Sequence, residues 1–592
     1  MIATLFFFLS FLLAFFGLFL TRKSEKELNA TSWLLLSLIA DICMGSIAAG
    51  IVGLLPIPIN LMTMSVIFLV IGLAFLIPLI LKKKIQKYKW HVYDIFCMLA
   101  FVLAAYIIRR VIFGDYDFVF KNSDAAVHFE NAMYVVRKHK LSGMYFASLY
   151  TGTLIEAFKP FVSEVNYYKI FILADNLALM AELMFFFVLI RDYLDKKWKK
   201  ALGLILCMFY LGGYPMVSYV QHFFYWGICT MLVGFVLLMV RYYRTQEIDR
   251  RFSIFFLMLG CAGIFLCYML FAPITYIAVF LSLVCIAKKE GKVFTWKNVG
   301  LALKIFLFPC VIGLYYCYFQ WFFKNGLSVA GVMNTDGGTY TELYINFVLM
   351  FPLLVYWVIR RIKEREVTEN LVFFLTFVTF VLGAFVLVYI GRFSTYYFYK
   401  LYYPLWLMCF VVILLACIEL AKRQWEMLVS LGVLAVFLGG MYGLNLEERI
   451  LAKTTLTPSN RSEQFFDVYH FNRLRFGVAT LYDDRMLDFC EYTLEETKGK
   501  RGRGGMKIPL LADYDTYGYV YWYDAITGQH SYKYYGWCHE FEEIKGRIDD
   551  GACDYLAVLN FSKIYNDNKE YFDRFERVME NEIGFIISTP KK

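Results

Sequence analysis

Five groups capable of acid–base or metal chemistry crowd into one short stretch, GDYDFVFKNSDAAVHFENAM (114–133): Asp115, Asp117, Asp124, His128 and Glu130. Asp124 and His128 are four residues apart, so a helix puts them on one face. Ser123 is placed to cap such a helix, running to about Lys140 with Val127, Ala132, Val135 and Val136 as its apolar side. Asp124 then sits at the positive end of the helix dipole, which favours its ionised form. An ionised carboxylate there can take a proton from a hydroxyl nucleophile. Two or more of Asp115, Asp117, Asp124 and His128 can alternatively hold a divalent cation. Carboxylates with one His admit Mg²⁺ or Mn²⁺ without selecting either, and nothing in the sequence requires a metal. The plain alternative is a solvated acidic loop.

A second constellation is GRFSTYYFYKLYYPLW (391–406), where Arg392 and Lys400 flank Tyr396, Tyr397 and Tyr399. Cations among hydroxyl-bearing rings suit a phosphate anion. Lys400 lies inside an apolar run, where a lysine otherwise snorkels its ammonium to water. Arg109 and Arg110 close another apolar run and are placed to serve the same anion. Outward-facing His222, in QHFFYWG with Trp226, and Asp336, in the Gly-rich KNGLSVAGVMNTDGGTY, are candidates for an acceptor site or lid.

The elements that must position these groups are mostly membrane spans. Of 592 residues, 60% are hydrophobic and only 18% charged, against about 25% charged in soluble domains. That excludes a soluble enzyme, a disordered chain and a disulfide scaffold. A span needs roughly 20 apolar residues. Runs meet this near Ile2–Leu20, Trp33–Leu55, Leu61–Leu81, Val92–Phe113, Tyr167–Ile190, Leu202–Val220 and Trp226–Val240. Others follow at Phe252–Leu270, Ile274–Ala287, Val299–Phe323, Leu343–Ile359, Leu371–Ile390, Tyr396–Leu420 and Trp425–Leu444. The expectation is a mainly α, polytopic membrane protein of about 14 transmembrane helices. Pro273 divides the Phe252–Ala287 run into two.

Every second connection is basic: Arg22/Lys23/Lys26, Lys82–Lys84 with Lys87 and Lys89, Lys196/Lys197/Lys199/Lys200, Arg241/Arg244/Arg250/Arg251, Lys288/Lys289/Lys292, Arg360/Arg361/Lys363/Arg365 and Lys422/Arg423. The positive-inside rule makes these seven cytoplasmic and puts the amino terminus and everything after Leu444 outside. The alternation holds only if Phe252–Ala287 crosses twice. The formal charge of +10 reports this orientation, and no nucleic-acid partner is expected. Residues 1–20 lack a basic n-region and a cleavage site, so they read as a retained span.

Two parts are not membrane. The outer loop 114–165 carries the acidic helix and a second amphipathic stretch, Tyr145–Phe158, both suited to lying along the bilayer surface. Residues 445–592 form the second domain, after the transmembrane domain 1–444. Within it Ile508–Ala512, Tyr555–Leu559 and Ile583–Ile587 read as strands, Cys538–Ile548 and Lys563–Met579 as helices, and Gly551 as a helix stop. That alternation favours a C-terminal extracytoplasmic α/β domain. Its aromatic middle is YGYVYWYDAITGQ (517–529), and Lys498–Arg503 reads as a solvated basic loop. Cys490, Cys538 and Cys553, odd in number and irregular in spacing, suggest neither a disulfide framework nor a metal site. The chain holds no P-loop, dinucleotide fingerprint, zinc-finger spacing or nucleophile elbow.

With its acidic outer loop, late YYFYK motif and terminal outer domain, the chain resembles the GT-C superfamily of membrane glycosyltransferases. The resemblance implies an inverting transfer of a sugar from a polyprenyl-phosphate donor to a cell-surface glycan, lipid or protein acceptor on the outer face. Asp124 would be the base, with Asp115 and Asp117 as competitors, and Lys400 and Arg392 would neutralise the departing lipid phosphate. The oligosaccharyltransferase WWD-type signature is missing, so peptide-Asn glycosylation is not favoured. Asp41, Asp94, Asp175, Glu182 and Lys304, in or near spans, support a different reading. On that reading the protein is a polysaccharide or lipid-intermediate transporter with Asp41, Asp175, Glu182 and Lys304 around a central cavity. A third reading is a non-catalytic scaffold displaying the terminal domain.

Overall fold

The computed structural model describes residues 1–113, 123–141, 147–212, 224–291, 295–316, 346–421, 484–498, 507–511, 513, 517–531 and 540–590. The first part is helical: α1 (Ile2–Leu20), α2 (Ala30–Val52), α3 (Leu61–Lys82), α4 (Val92–Phe113), α5 (Ser123–Lys138), α6 (Ala147–Phe158), α7 (Tyr167–Arg191) and α8 (Lys197–Gly212). It continues with α9 (Phe224–Thr245), α10 (Arg250–Cys267), α11 (Ala272–Lys289), α12 (Trp296–Gly313), α13 (Asn346–Lys363), α14 (Glu369–Tyr389), α15 (Thr395–Lys400) and α16 (Tyr402–Leu420). Ten helical segments among the described residues are long and apolar enough to cross a bilayer. The protein is a mainly α, multi-pass membrane protein. The expected span at Trp425–Leu444 lies outside the described residues.

Polar contacts gather the basic connections at one end of the bundle. Arg250 meets Glu290 at 2.6 Å, so α10 begins where α11 ends and the pair is a hairpin, as the Pro273 division predicts. Arg191 Nε meets Asp94 Oδ2 at 2.6 Å, and Asn29 Nδ2 donates to the same oxygen at 2.7 Å. Arg244 grips both oxygens of buried Glu369 at 2.6 and 3.0 Å, a fork that offsets the cost of burying that carboxylate. A short parallel pair, β1 (Leu28–Asn29) with β2 (Tyr88–Lys89), ties two of these loops together. Lys23 is not a solvated loop cation: it is buried, and its ammonium donates to the carbonyls of Leu18, Phe19 and Thr21, satisfying the end of α1.

The opposite end carries the loop helices. Glu156 of α6 accepts from Leu61 N at 2.5 Å at the start of α3, and Thr4 Oγ1 donates to Ala157 O at 2.9 Å. Gly152 lets α6 press against α5, because a Cβ there would stand 2.8 Å from that of Val135. The buried face of α5 is Ala125, Ala126, Phe129, Ala132, Met133, Val135 and Val136. Val127, expected on that face, is exposed, because the stripe is centred one residue round the helix, on Phe129 and Met133.

After the undescribed residues 422–483 come α17 (Asp484–Thr497), α18 (Tyr517–Thr527), α19 (Phe541–Asp549), β3 (Tyr555–Leu559), α20 (Lys563–Asp567), α21 (Lys569–Phe572), β4 (Arg577–Asn581) and β5 (Gly584–Ser588). The sheet order is β3-β5-β4, antiparallel throughout. Residues 508–511 run beside β3 in parallel but make a single bridge, Leu510 to Ala557, since Pro509 has no N–H to give. The helix expected over Lys563–Met579 is two short helices and then β4. Asn568, at φ −134° and ψ 37°, interrupts it.

Successive strand residues face opposite ways. Leu556, Val558, Phe585 and Ile587 pack against α19 in a separate small core. Ala557, Leu559 and Ile586 face α17 and α18 and join the core of the membrane bundle. The aromatic stretch 517–527 is a helix packed against α5 and α17.

Candidate active site

Lys400 ends α15, the six-residue helix that turns the chain from α14 into α16. Gly391, at φ +68°, makes the preceding turn, and Ser394 caps α15 by accepting from Tyr396 N at 3.1 Å. The Lys400 side chain does not snorkel; the residue is 2% exposed. Its ammonium lies 3.6 Å from the ring centroid of Tyr396, and 5.5, 5.8 and 5.6 Å from those of Tyr397, Tyr399 and Tyr268. Ring faces attract a desolvated cation and partly replace its lost water. Tyr399 and Tyr268 are buried, whereas Tyr396 and Tyr397 are half-buried and form the accessible side. Arg392 is exposed in the preceding turn.

Tyr268 was not expected in this site. It follows α10 at the turn into α11, and its sequence signal is an aromatic residue beside the dividing Pro273. Cys43 of α2 packs against α10, its Sγ 2.8 Å from where a Cβ on Gly263 would stand. Asp41 is fully buried halfway along α2, and neither carboxylate oxygen has a hydrogen-bond partner among the described residues. Toward the loop helices, Tyr150 of α6 accepts from Ser46 Oγ at 3.0 Å and donates to Ile42 O.

The acidic helix is present as α5, with Asp124 in its first turn and His128 one turn on, half-buried. The side chains of Asp124, Arg109 and Arg110 lie outside the described residues, as do Asp115, Asp117, His222 and Asp336 entirely. Among the described residues no three His, Cys, Asp or Glu side chains group as metal ligands.

The apolar face of α5 is covered by protein, while Val127, Tyr134 and Lys138 are exposed. It meets α6 and α7, and α18 of the terminal domain packs on it as well. Phe129 and Trp522 stack with centroids 5.9 Å apart. Arg137 donates to Ala525 O at 3.1 Å and to Ile526 O at 2.5 Å, satisfying carbonyls at the end of α18. Burial raises the Glu130 carboxyl above its usual range, countered in part by His530 and Arg137. The sequence offers no signal for this docking beyond basic residues at the end of α5.

The ionisable groups expected around a central cavity divide. Asp41, Asp175 and Glu182 are buried, and Tyr210 OH donates to Glu182 at 2.7 Å. Lys304 is exposed on α12.

No protein-family model matches the chain, and no curated protein does. Among solved structures it is similar to ArnT from Cupriavidus metallidurans bound to undecaprenyl phosphate, with a TM-score of 0.46 and 11% identity over 83% of this chain and 99% of that one.

Proposed function

We propose that the protein is an inverting membrane glycosyltransferase that moves a sugar from a polyprenyl-phosphate donor to a cell-surface acceptor. The observation that carries this reading is the buried Lys400 ammonium, held among four tyrosine rings at the same bundle end as α5 and α6. An ionisable group inside a membrane is costly and marks a functional site by default. A lipid phosphate is the anion that reaches such a place without leaving the bilayer. It enters past Tyr396 and Tyr397, and the low polarity around the ammonium strengthens their attraction.

In the reaction an acceptor hydroxyl oxygen attacks the anomeric carbon as the bond from that carbon to the phosphate oxygen breaks. The hydroxyl proton passes to the Asp124 carboxylate, with Asp115 and Asp117 as rivals for that role. The electron pair of the broken bond stays on the polyprenyl phosphate, where Lys400, with Arg392, Arg109 and Arg110 near the rim, offsets the charge. No proton has to reach the phosphate, so one carboxylate is enough. His222 and Asp336 are assigned to acceptor binding or closure. Residues 1–444 form the catalytic membrane part and 445–592 the outer domain. The basic bundle end faces the cytoplasm.

Purified protein in vesicles, given a labelled polyprenyl-phosphate sugar, tests the reading. Covalent transfer of label to an envelope glycan or lipid acceptor is expected, with and without chelator arms to settle the metal. The transporter reading, which rests on Asp41, Asp175, Glu182 and Lys304, predicts movement of intact donor between leaflets without bond cleavage.

A further inference from the structure

At the bundle end opposite this site, a cavity of about 790 Å³ opens between the loop after α1, the last turns of α3 and the start of α10. Its size falls within the usual range for small-ligand sites. One wall is cationic, with Arg22, Lys23, Lys26, Lys82, Lys84 and Arg250, against only Glu25 and Asp249. The other wall is apolar and belongs to the membrane span: Ala74, Phe75, Pro78 and Leu79 of α3, with Phe252 of α10.

The cations are not equivalent. Lys23 is buried and spends its protons on α1 carbonyls, Arg22 pairs with Glu25, and Arg250 pairs with Glu290. Lys26, Lys82 and Lys84 have no ion pair among the described residues and are exposed to the cavity mouth. Three uncommitted ammonium groups beside an apolar helix face fit a molecule with an anionic head and a hydrocarbon body. On α3 the residues next to the wall, Leu73, Ile77, Ile80 and Leu81, are exposed and would touch lipid. We infer that this cavity binds the phosphate headgroup of an anionic phospholipid, with its acyl chains along α3. Basic pockets between transmembrane helices are suited to such heads.

The test is native mass spectrometry of the full-length detergent-purified protein titrated with phosphatidylglycerol, phosphatidylcholine or pyrophosphate. One phosphatidylglycerol should bind at least about tenfold more tightly than phosphatidylcholine. The triple variant Lys26→Ala/Lys82→Ala/Lys84→Ala, which removes no described hydrogen bond or ion pair made by those side chains, should lose about tenfold or more of that affinity. A control triple at the same bundle end, Lys196→Ala/Lys197→Ala/Lys288→Ala, should change it less than about twofold. Equal losses in the two triples would reduce the effect to the general positive field and overturn the site. Pyrophosphate competing as well as the lipid would overturn the lipid assignment, since the apolar wall would then be unused.

Discussion

Arg137 and Ala525, 388 residues apart, are joined by a hydrogen bond of 3.1 Å from the guanidinium to the backbone carbonyl. With the second bond to Ile526 it fixes the end of α18 on the helix that carries Asp124 and His128. The terminal domain is thus tied directly to α5.

Removing that fork should loosen the tie. Arg137→Ala should destabilise the docked state by about 2–3 kcal/mol, since hydrogen bonds from a charged donor contribute about 1.5–3 kcal/mol each and losses are not additive. Hydrogen exchange across residues 517–527 should accelerate while exchange in β3 and β5 holds. Unchanged protection of α18 would show that the Phe129–Trp522 stack carries the docking alone.

The same interface should respond to pH through Glu130. Burial raises its folded-state pKa above the usual 4.5, so the neutral form is favoured in the folded protein. Its contribution to stability is fully present below the unfolded value and is lost as pH rises through the raised folded value. Glu130→Gln should therefore melt close to wild type near pH 4 and increasingly above it toward pH 7. A difference independent of pH would refute the role of Glu130 ionisation.

For the chemistry, Asp124→Asn should lower turnover by about two orders of magnitude or more while the melting profile is kept. Asn keeps the shape but cannot accept the acceptor proton. Full turnover in that variant would remove Asp124 from the role and leave Asp115 and Asp117 to be tried in turn.

Lys400→Ala should raise the KM for the lipid-phosphate donor about tenfold or more and that for the acceptor much less. Tyr396→Phe, which keeps a ring over the ammonium, should preserve donor affinity. Equal effects of Lys400→Ala on both substrates would mean that the lysine only holds α15 together.

Hydropathy makes the bundle legible because a span must bury its backbone polar groups in its own helix, so sequence-local information suffices. The loop-charge alternation even resolves the α10–α11 hairpin, which Arg250–Glu290 closes. Lys400 is conspicuous as a cation inside an apolar run. Its cage is less so, because Tyr268 comes from a turn about 130 residues earlier, and such convergence is set by packing and not by spacing. The terminal domain is legible in β3 and β5, where apolar runs end at Gly and Asn turns. It is not legible at residues 563–579, where the aromatic spacing fits a helix but Tyr571 and Phe572 serve the small sheet core across a break at Asn568. Arg137 looks like any loop cation until α18 is seen beneath it.

The proposed transfer requires a lipid phosphate to lodge against Lys400 within reach of α5. The most direct measurement is photo-crosslinking with a polyprenyl phosphate carrying a diazirine in its first isoprene unit, followed by peptide mapping. Adducts should fall on the peptide bearing Tyr396 and Tyr397 and on α5, and should vanish in Lys400→Ala. Adducts confined to other helices and indifferent to that substitution would contradict it.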